Sequence, residues 1–141
     1  MGSYEDWLAD FNRRVARHDE CVAALARDLV NRTDWNIRAR SAPGFRPPYG
    51  TNVDVEAHRG ESPPLCIEVE VLEALVRKET LARLGRLSRS GTDARVVIVA
   101  DEPEHACDIE DATRLLSRAG LRRIPVAAIA PDTAAITGAD W

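Results

Sequence analysis

At 141 residues, with 45% apolar and 30% charged positions, the chain has the size of one domain and too much apolar content for a disordered segment. A net charge of −4 argues against a protein that coats nucleic acid indiscriminately, although all of the acidic excess falls after residue 90. No run approaches the ~18 apolar residues of a membrane span, and the opening MGSYEDWLADFN lacks a basic and apolar leader. Cys21, Cys66 and Cys107 form no CxxC pair, so the expectation is a cytoplasmic protein, with no membrane contact, whose cysteines are small apolar fillers.

From Tyr4 to about Asn31 no proline or internal glycine interrupts apolar residues at spacings of three and four, from Trp7, Leu8, Phe11 and Val15 to Val22, Leu25 and Leu29. This predicts a long amphipathic helix with a break near His18. Trp35, Ile37 and Ala39 alternate with polar residues, the period of a half-buried strand. The proline- and glycine-rich SAPGFRPPYG then has to be loop. Thr51 to His58 and Leu65 to Val71 are strand-like on either side of RGESPP, which predicts a β-hairpin. Leu72, Leu75, Val76, Leu84 and Leu87 predict a helix stopped at Gly91, and the apolar run from Arg95 to Ala100 a strand covered on both faces. Asp108 to Ala119 reads as a helix capped by Asp108 and stopped at Gly120, and Val126 to Ala130 as a last strand. The order α-β-β-β-α-β-α-β implies one α/β domain over residues 1–141, with a mixed central sheet flanked by helices.

Chemistry concentrates in the hairpin. Its odd-numbered residues, Val53, Val55, Ala57, Leu65, Ile67, Val69 and Val71, form a core face, and its even face carries Asn52, Asp54, Glu56, His58, Cys66, Glu68 and Glu70. A turn centred on Glu61 sets Asp54 across from Glu68, with Cβ atoms ~4.5–5.5 Å apart. Carboxylates gathered in this way repel unless a cation or water screens them. A hard divalent ion such as Mg²⁺ suits them, because it takes one or two protein carboxylates and can polarise a phosphodiester. The ordinary alternative is an antiparallel hairpin with one wet face, which alternates polar and apolar residues with no function attached.

A first helix bearing acids, a strand, a hairpin with Asp on one arm and an acid triplet on the other, then a helix and a strand, resembles the PD-(D/E)xK nuclease superfamily. The resemblance spans roughly residues 15–100, with Asp54 as the Asp and Glu68-Val69-Glu70 in place of Glu-x-Lys. Val53 stands where the signature has Pro, and Glu70 where it has Lys, so no ammonium accompanies the attacking water unless Lys78 or an arginine reaches in. The resemblance implies a restriction-endonuclease-like core and a DNA endonuclease using Mg²⁺ or Mn²⁺. Asp54, Glu68 and Glu70 would be catalytic, Asp54 and Glu68 metal ligands, and Asp19 or Glu20 of the first helix a further ligand. It also implies a homodimer, because two DNA strands are bridged more easily by two copies.

Of the 19 basic residues all but Lys78 are arginine. Arg38, Arg40 and Arg46, with Phe45 and Tyr49 interleaved in the loop, have the composition for phosphate contact and base stacking, and Arg77 and Lys78 open a second basic stretch with Arg83, Arg86 and Arg89. His18 and His58 are candidate proton shuttles. Two other readings stay open: a noncatalytic DNA-binding or assembly module of the same fold, and an open parallel-sheet nucleotide domain. The second lacks a glycine-rich phosphate loop and does not require the hairpin.

Overall fold

The computed structural model describes residues 3–49, 53–99, 105–130 and 136–138, with side chains in its fourth helix described from residue 108. Ser3 starts the first helix with a reciprocal cap: its hydroxyl accepts from the Asp6 N–H, and the Asp6 carboxylate accepts from the Ser3 N–H, both at 3.2 Å. The helix, α1 (Tyr4–Arg32), runs unbroken through His18 and ends where the Thr33 hydroxyl caps the Leu29 carbonyl at 2.7 Å. The predicted break is absent because nothing in the sequence there removes a backbone donor or adds a glycine. Burial, not helicity, changes along α1. It is exposed as far as Ala16 and packed from Cys21 onward.

The strands follow as β1 (Asn36–Ala39), β2 (Val55–His58) and β3 (Leu65–Glu70), then α2 (Leu72–Leu75), α3 (Lys78–Arg89), β4 (Asp93–Val99), α4 (His105–Arg118), β5 (Val126–Ile129) and β6 (Ile136–Thr137). Among the described residues they form one six-stranded mixed sheet in chain order. Pairing is antiparallel from β1 to β3, parallel from β3 to β5, and antiparallel again for β6. Two details depart from expectation. The helix after the hairpin is two helices, since Arg77 is extended as the N-cap of α3, and the short β6 adds a strand. Gly91, with φ of +81°, supplies the left-handed residue that ends α3. Residues 51, 52 and 100, at the ends of two predicted strands, and the Cys107 side chain lie outside the described residues.

Both faces of the sheet are covered. On one, Val22, Leu25 and Leu29 of α1 pack on Val55, Ala57, Leu65, Ile67 and Val69. On the other, Leu75, Leu84, Leu87, Ala112 and Leu116 of α2 to α4 pack on Cys66, Val96 and Ile98. The alternative of an ordinary hairpin with one wet face is therefore overturned. Parallel pairing of β3, β4 and β5 requires crossover helices, and these seal the second face. Glu56 and Glu68 keep only 2% of their surface. Cys21 and Cys66 are fully buried, as expected of apolar fillers. Among the described residues no helix is long and apolar enough to cross a membrane.

Candidate carboxylate site at the splayed end of the hairpin

β2 and β3 pair in the expected register, Val55 opposite Ile67, Glu56 opposite Cys66 and Ala57 opposite Leu65. One step further the ladder ends. The Asp54 N–H donates to the Ile67 carbonyl at 3.2 Å, and Val53 turns into the core under α2 and α3 instead of staying on the face of Val55. Strict alternation placed Val53 on the opposite face, and the bend at Asp54 is what defeats it.

The splay leaves the Val69 N–H and carbonyl without a β2 partner, and side chains fill both places. The Asp54 Oδ2 accepts from the Val69 N–H at 2.9 Å. The Val69 carbonyl accepts from His18 Nε2 at 2.9 Å, with Asp54 Oδ1 3.4 Å from the same nitrogen. On the far side of the ring, Nδ1 donates to Asp19 Oδ1 at 3.2 Å. The Asp54 hydrogen bond, assisted by the Asp54 charge and by hydrogen bonds to Asp19 and the Val69 carbonyl, raises the His18 pKa from 6.5 to about 9 against the opposing effect of burial. At neutral pH the ring is an imidazolium that donates from both nitrogens.

Glu68 is held differently. Arg83 of α3 donates from Nη1 to Glu68 Oε2 at 2.9 Å, while Oε1 is buried with no hydrogen-bond partner among the described residues. Burial first, then the Asp54 charge, raises the Glu68 pKa to about 7 although Arg83 pulls the other way. Glu70 is half-buried at the end of β3, and burial raises its pKa as well. It lines a groove of about 430 Å³ with Val71, Ala74 and Arg77 on one side and His18 and the exposed half of α1 on the other. Asp54, Glu68 and Glu70 thus interact through their charges, and Asp19 joins them only through His18. Glu20 is exposed on α1 and takes no part.

The predicted nucleic-acid contacts separate into two regions. Arg38 lies over the Tyr49 ring at 3.4 Å, donates to its hydroxyl and to the Pro47 carbonyl, and belongs with Glu56 and His58, which hydrogen-bond at 2.6 Å. Arg40 and Arg46 are exposed, whereas Phe45 packs against the core and is not free to stack on a base. Lys78 is exposed at the start of α3 and does not reach the carboxylates. It lines a groove of about 360 Å³ with Glu79, Ala82, Arg83 and Arg86. Arg83 is therefore the base that both meets Glu68 and faces this groove.

Sequence reasoning underweighted His18 and did not separate Arg83 from its neighbours. Both carried a signal. His18 falls on the apolar stripe of α1, where a polar ring has to find a buried partner, and Arg83 lies beside Thr80, Leu84 and Leu87 on the packed side of α3. Among the described residues no group of three or more His, Cys, Asp or Glu side chains is arranged to hold a metal ion, and the oxygen that an oxygen-seeking cation could use is the unpartnered Glu68 Oε1, beside the Asp54 charge. No protein-family model, curated protein or solved structure matches the chain.

Proposed function

We propose that this chain is a metal-dependent nuclease with a restriction-endonuclease-like core, hydrolysing DNA phosphodiester bonds. The observation that carries the reading is the meeting of Asp54 and Glu68 where β2 leaves β3, with a buried free oxygen on a carboxylate that titrates at about 7. The helix-first order and the parallel placement of β4 beside the hairpin support it. Asp54 and Glu68 would hold Mg²⁺ or Mn²⁺, which when bound polarises the phosphate. Glu70, half-buried beside them with its carboxyl pKa raised by burial, would orient the attacking water and take its proton. Arg83 supplies the cation that the Glu-x-Glu triplet lacks and offers it to the phosphate. Lys78 and Arg86, in the same groove as Arg83, contact the DNA backbone.

A second reading rests on a specific observation of its own. His18 and Arg83 already neutralise the two carboxylates from within the chain, as a noncatalytic DNA-binding or assembly module would need. Cleavage of single-stranded, double-stranded and branched DNA with Mg²⁺ or Mn²⁺ decides between them. The nuclease predicts metal-dependent cutting reduced at least about 100-fold by Asp54→Asn and by Glu68→Gln, with folding unchanged by circular dichroism. No cutting by folded wild type, with tighter DNA binding after either substitution, establishes the noncatalytic module.

A further inference from the structure

We propose that the exposed first half of α1 is a self-association surface, on which a second copy of this chain packs antiparallel. Tyr4, Leu8, Phe11, Val15, His18, Val22, Leu25 and Leu29 follow one another at alternating spacings of four and three, the seam along which helices pair. The last three are fully buried against the sheet. The first four continue the same seam into water, because a 29-residue helix extends ~43 Å while strands of four to seven residues reach only ~13–23 Å. Tyr4 is 72% exposed and Trp7 54%. Their rings are already ordered: Tyr4 stacks on Trp7 at 6.0 Å, and Trp7 on Phe11 at 5.5 Å. Little side-chain entropy remains to be lost when a partner covers them.

Charge selects the occupant. Glu5, Asp6 and Asp10 lie in the first two turns of α1, and Arg13, Arg14 and Arg17 in the next two. A nucleic acid along this face would meet the three acids beside the most exposed rings. A second copy in parallel would set like charge against like. An antiparallel copy, with its two-fold axis between Ala9 and Asp10, sets each acidic end against a basic one. That register aligns Tyr4 with Val15 of the partner subunit, Leu8 with Phe11 of the partner subunit, and Glu5 with Arg14 of the partner subunit.

The area lies near the lower limit of a specific interface. With ~200 Å² for an aromatic side chain and less for Leu and Val, the exposed parts of Tyr4, Trp7, Leu8, Phe11 and Val15 come to roughly 400 Å² per copy. Two copies, with the charged stems beside the seam, approach the ~1,200 Å² at the lower limit of specific interfaces. The pairing also closes the groove at Glu70 and His18. Tyr4 of the partner subunit would lie at Val15, on the rim of that groove, so each copy covers the groove in which the other's Glu70 and His18 lie. The interface stands whether or not the site is hydrolytic.

Sedimentation equilibrium over a concentration series tests the pairing, with circular dichroism to verify folding. Wild type is expected to dimerise, and Trp7→Glu combined with Phe11→Glu to weaken association by about 30-fold or more. Glu5→Arg alone and Arg14→Glu alone each weaken it, an equimolar mixture of the two forms a heterodimer, and the double substitution in one chain restores the homodimer. A monomeric wild type overturns the proposal, and so does a dimer indifferent to Trp7→Glu with Phe11→Glu. A monomer whose Trp7→Glu variant loses single-stranded DNA binding also overturns it and gives this face to nucleic acid.

Discussion

Asp54 and Glu68 sit on facing arms of one hairpin, yet the fold neutralises them by opposite means. Asp54 takes its backbone hydrogen bond from Val69 and its cation from His18, a ring that loses its charge at about pH 9. Glu68 takes a permanent cation from Arg83, leaves one oxygen without a partner, and is itself the group that changes charge, at about pH 7. In one pair the base titrates and in the other the acid does. The lesson is that equal carboxylates on a symmetric register acquire different chemistry from the helices that pack on them, α1 for Asp54 and α3 for Glu68.

The largest effect is expected from removing the permanent cation. In Arg83→Met, Glu68 at about pH 8 either stays ionised without a partner or binds a proton, and the cost is about 3 kcal/mol. A carboxyl whose folded pKa lies above its unfolded value gives stability that is full below about pH 4.5 and lost as the pH rises through about 7. At about pH 5 Glu68 is largely protonated in the folded protein with or without Arg83, and the deficit should shrink to about 1 kcal/mol. Urea unfolding at the two pH values measures it, and equal deficits would show that Arg83 acts on Glu68 only by packing.

His18→Ala should show the opposite trend. The folded His18 pKa of about 9 exceeds the unfolded 6.5, so its contribution is full below about pH 6.5 and is lost as the pH rises through about 9. The shift corresponds to about 3 kcal/mol at most. Partial exposure of the ring reduces this to about 2 kcal/mol at about pH 6, and most of it disappears by about pH 10. The same urea series measures both variants. If the His18→Ala deficit grows with pH, the imidazolium is not what holds Asp54.

Local patterning made much of this fold legible. The period of two in Val55–His58 and Leu65–Glu70 identified the strands, and RGESPP identified the turn that puts Val55 opposite Ile67. Parity failed at Val53, because a bend at a strand end is invisible to alternation. It also failed to tell a wet polar face from a buried one, since Glu56 and Glu68 alternate in the same way whether water or His58 and Arg83 satisfy them. The split between α2 and α3 was hidden because leucines continue on both sides of it, and Ile136–Thr137 is too short to show a period. The carboxylates of the site were legible from spacing. Their cations were not, since His18 and Arg83 lie 36 and 15 positions away from the acids they serve and meet them only through tertiary packing.

The smallest expected effect separates Asp19 from Glu20, neighbours on α1 that sequence alone could not rank decisively. Asp19 accepts from His18 Nδ1 and so fixes which way the ring presents Nε2 to Asp54 and the Val69 carbonyl, whereas Glu20 is exposed. Asp19→Asn should therefore cost about 0.5 kcal/mol below about pH 6.5, a modest value because the pair is partly exposed. It should also lower the His18 titration midpoint, while Glu20→Gln leaves both unchanged. An NMR titration of the His18 ring, assigned by its absence in His18→Ala, measures the midpoint directly. An unchanged midpoint in Asp19→Asn would mean that Asp54 alone holds the imidazolium. A lowered one makes the first-helix acid a positioning group that reaches the carboxylate pair through a histidine, with no need to touch a metal itself.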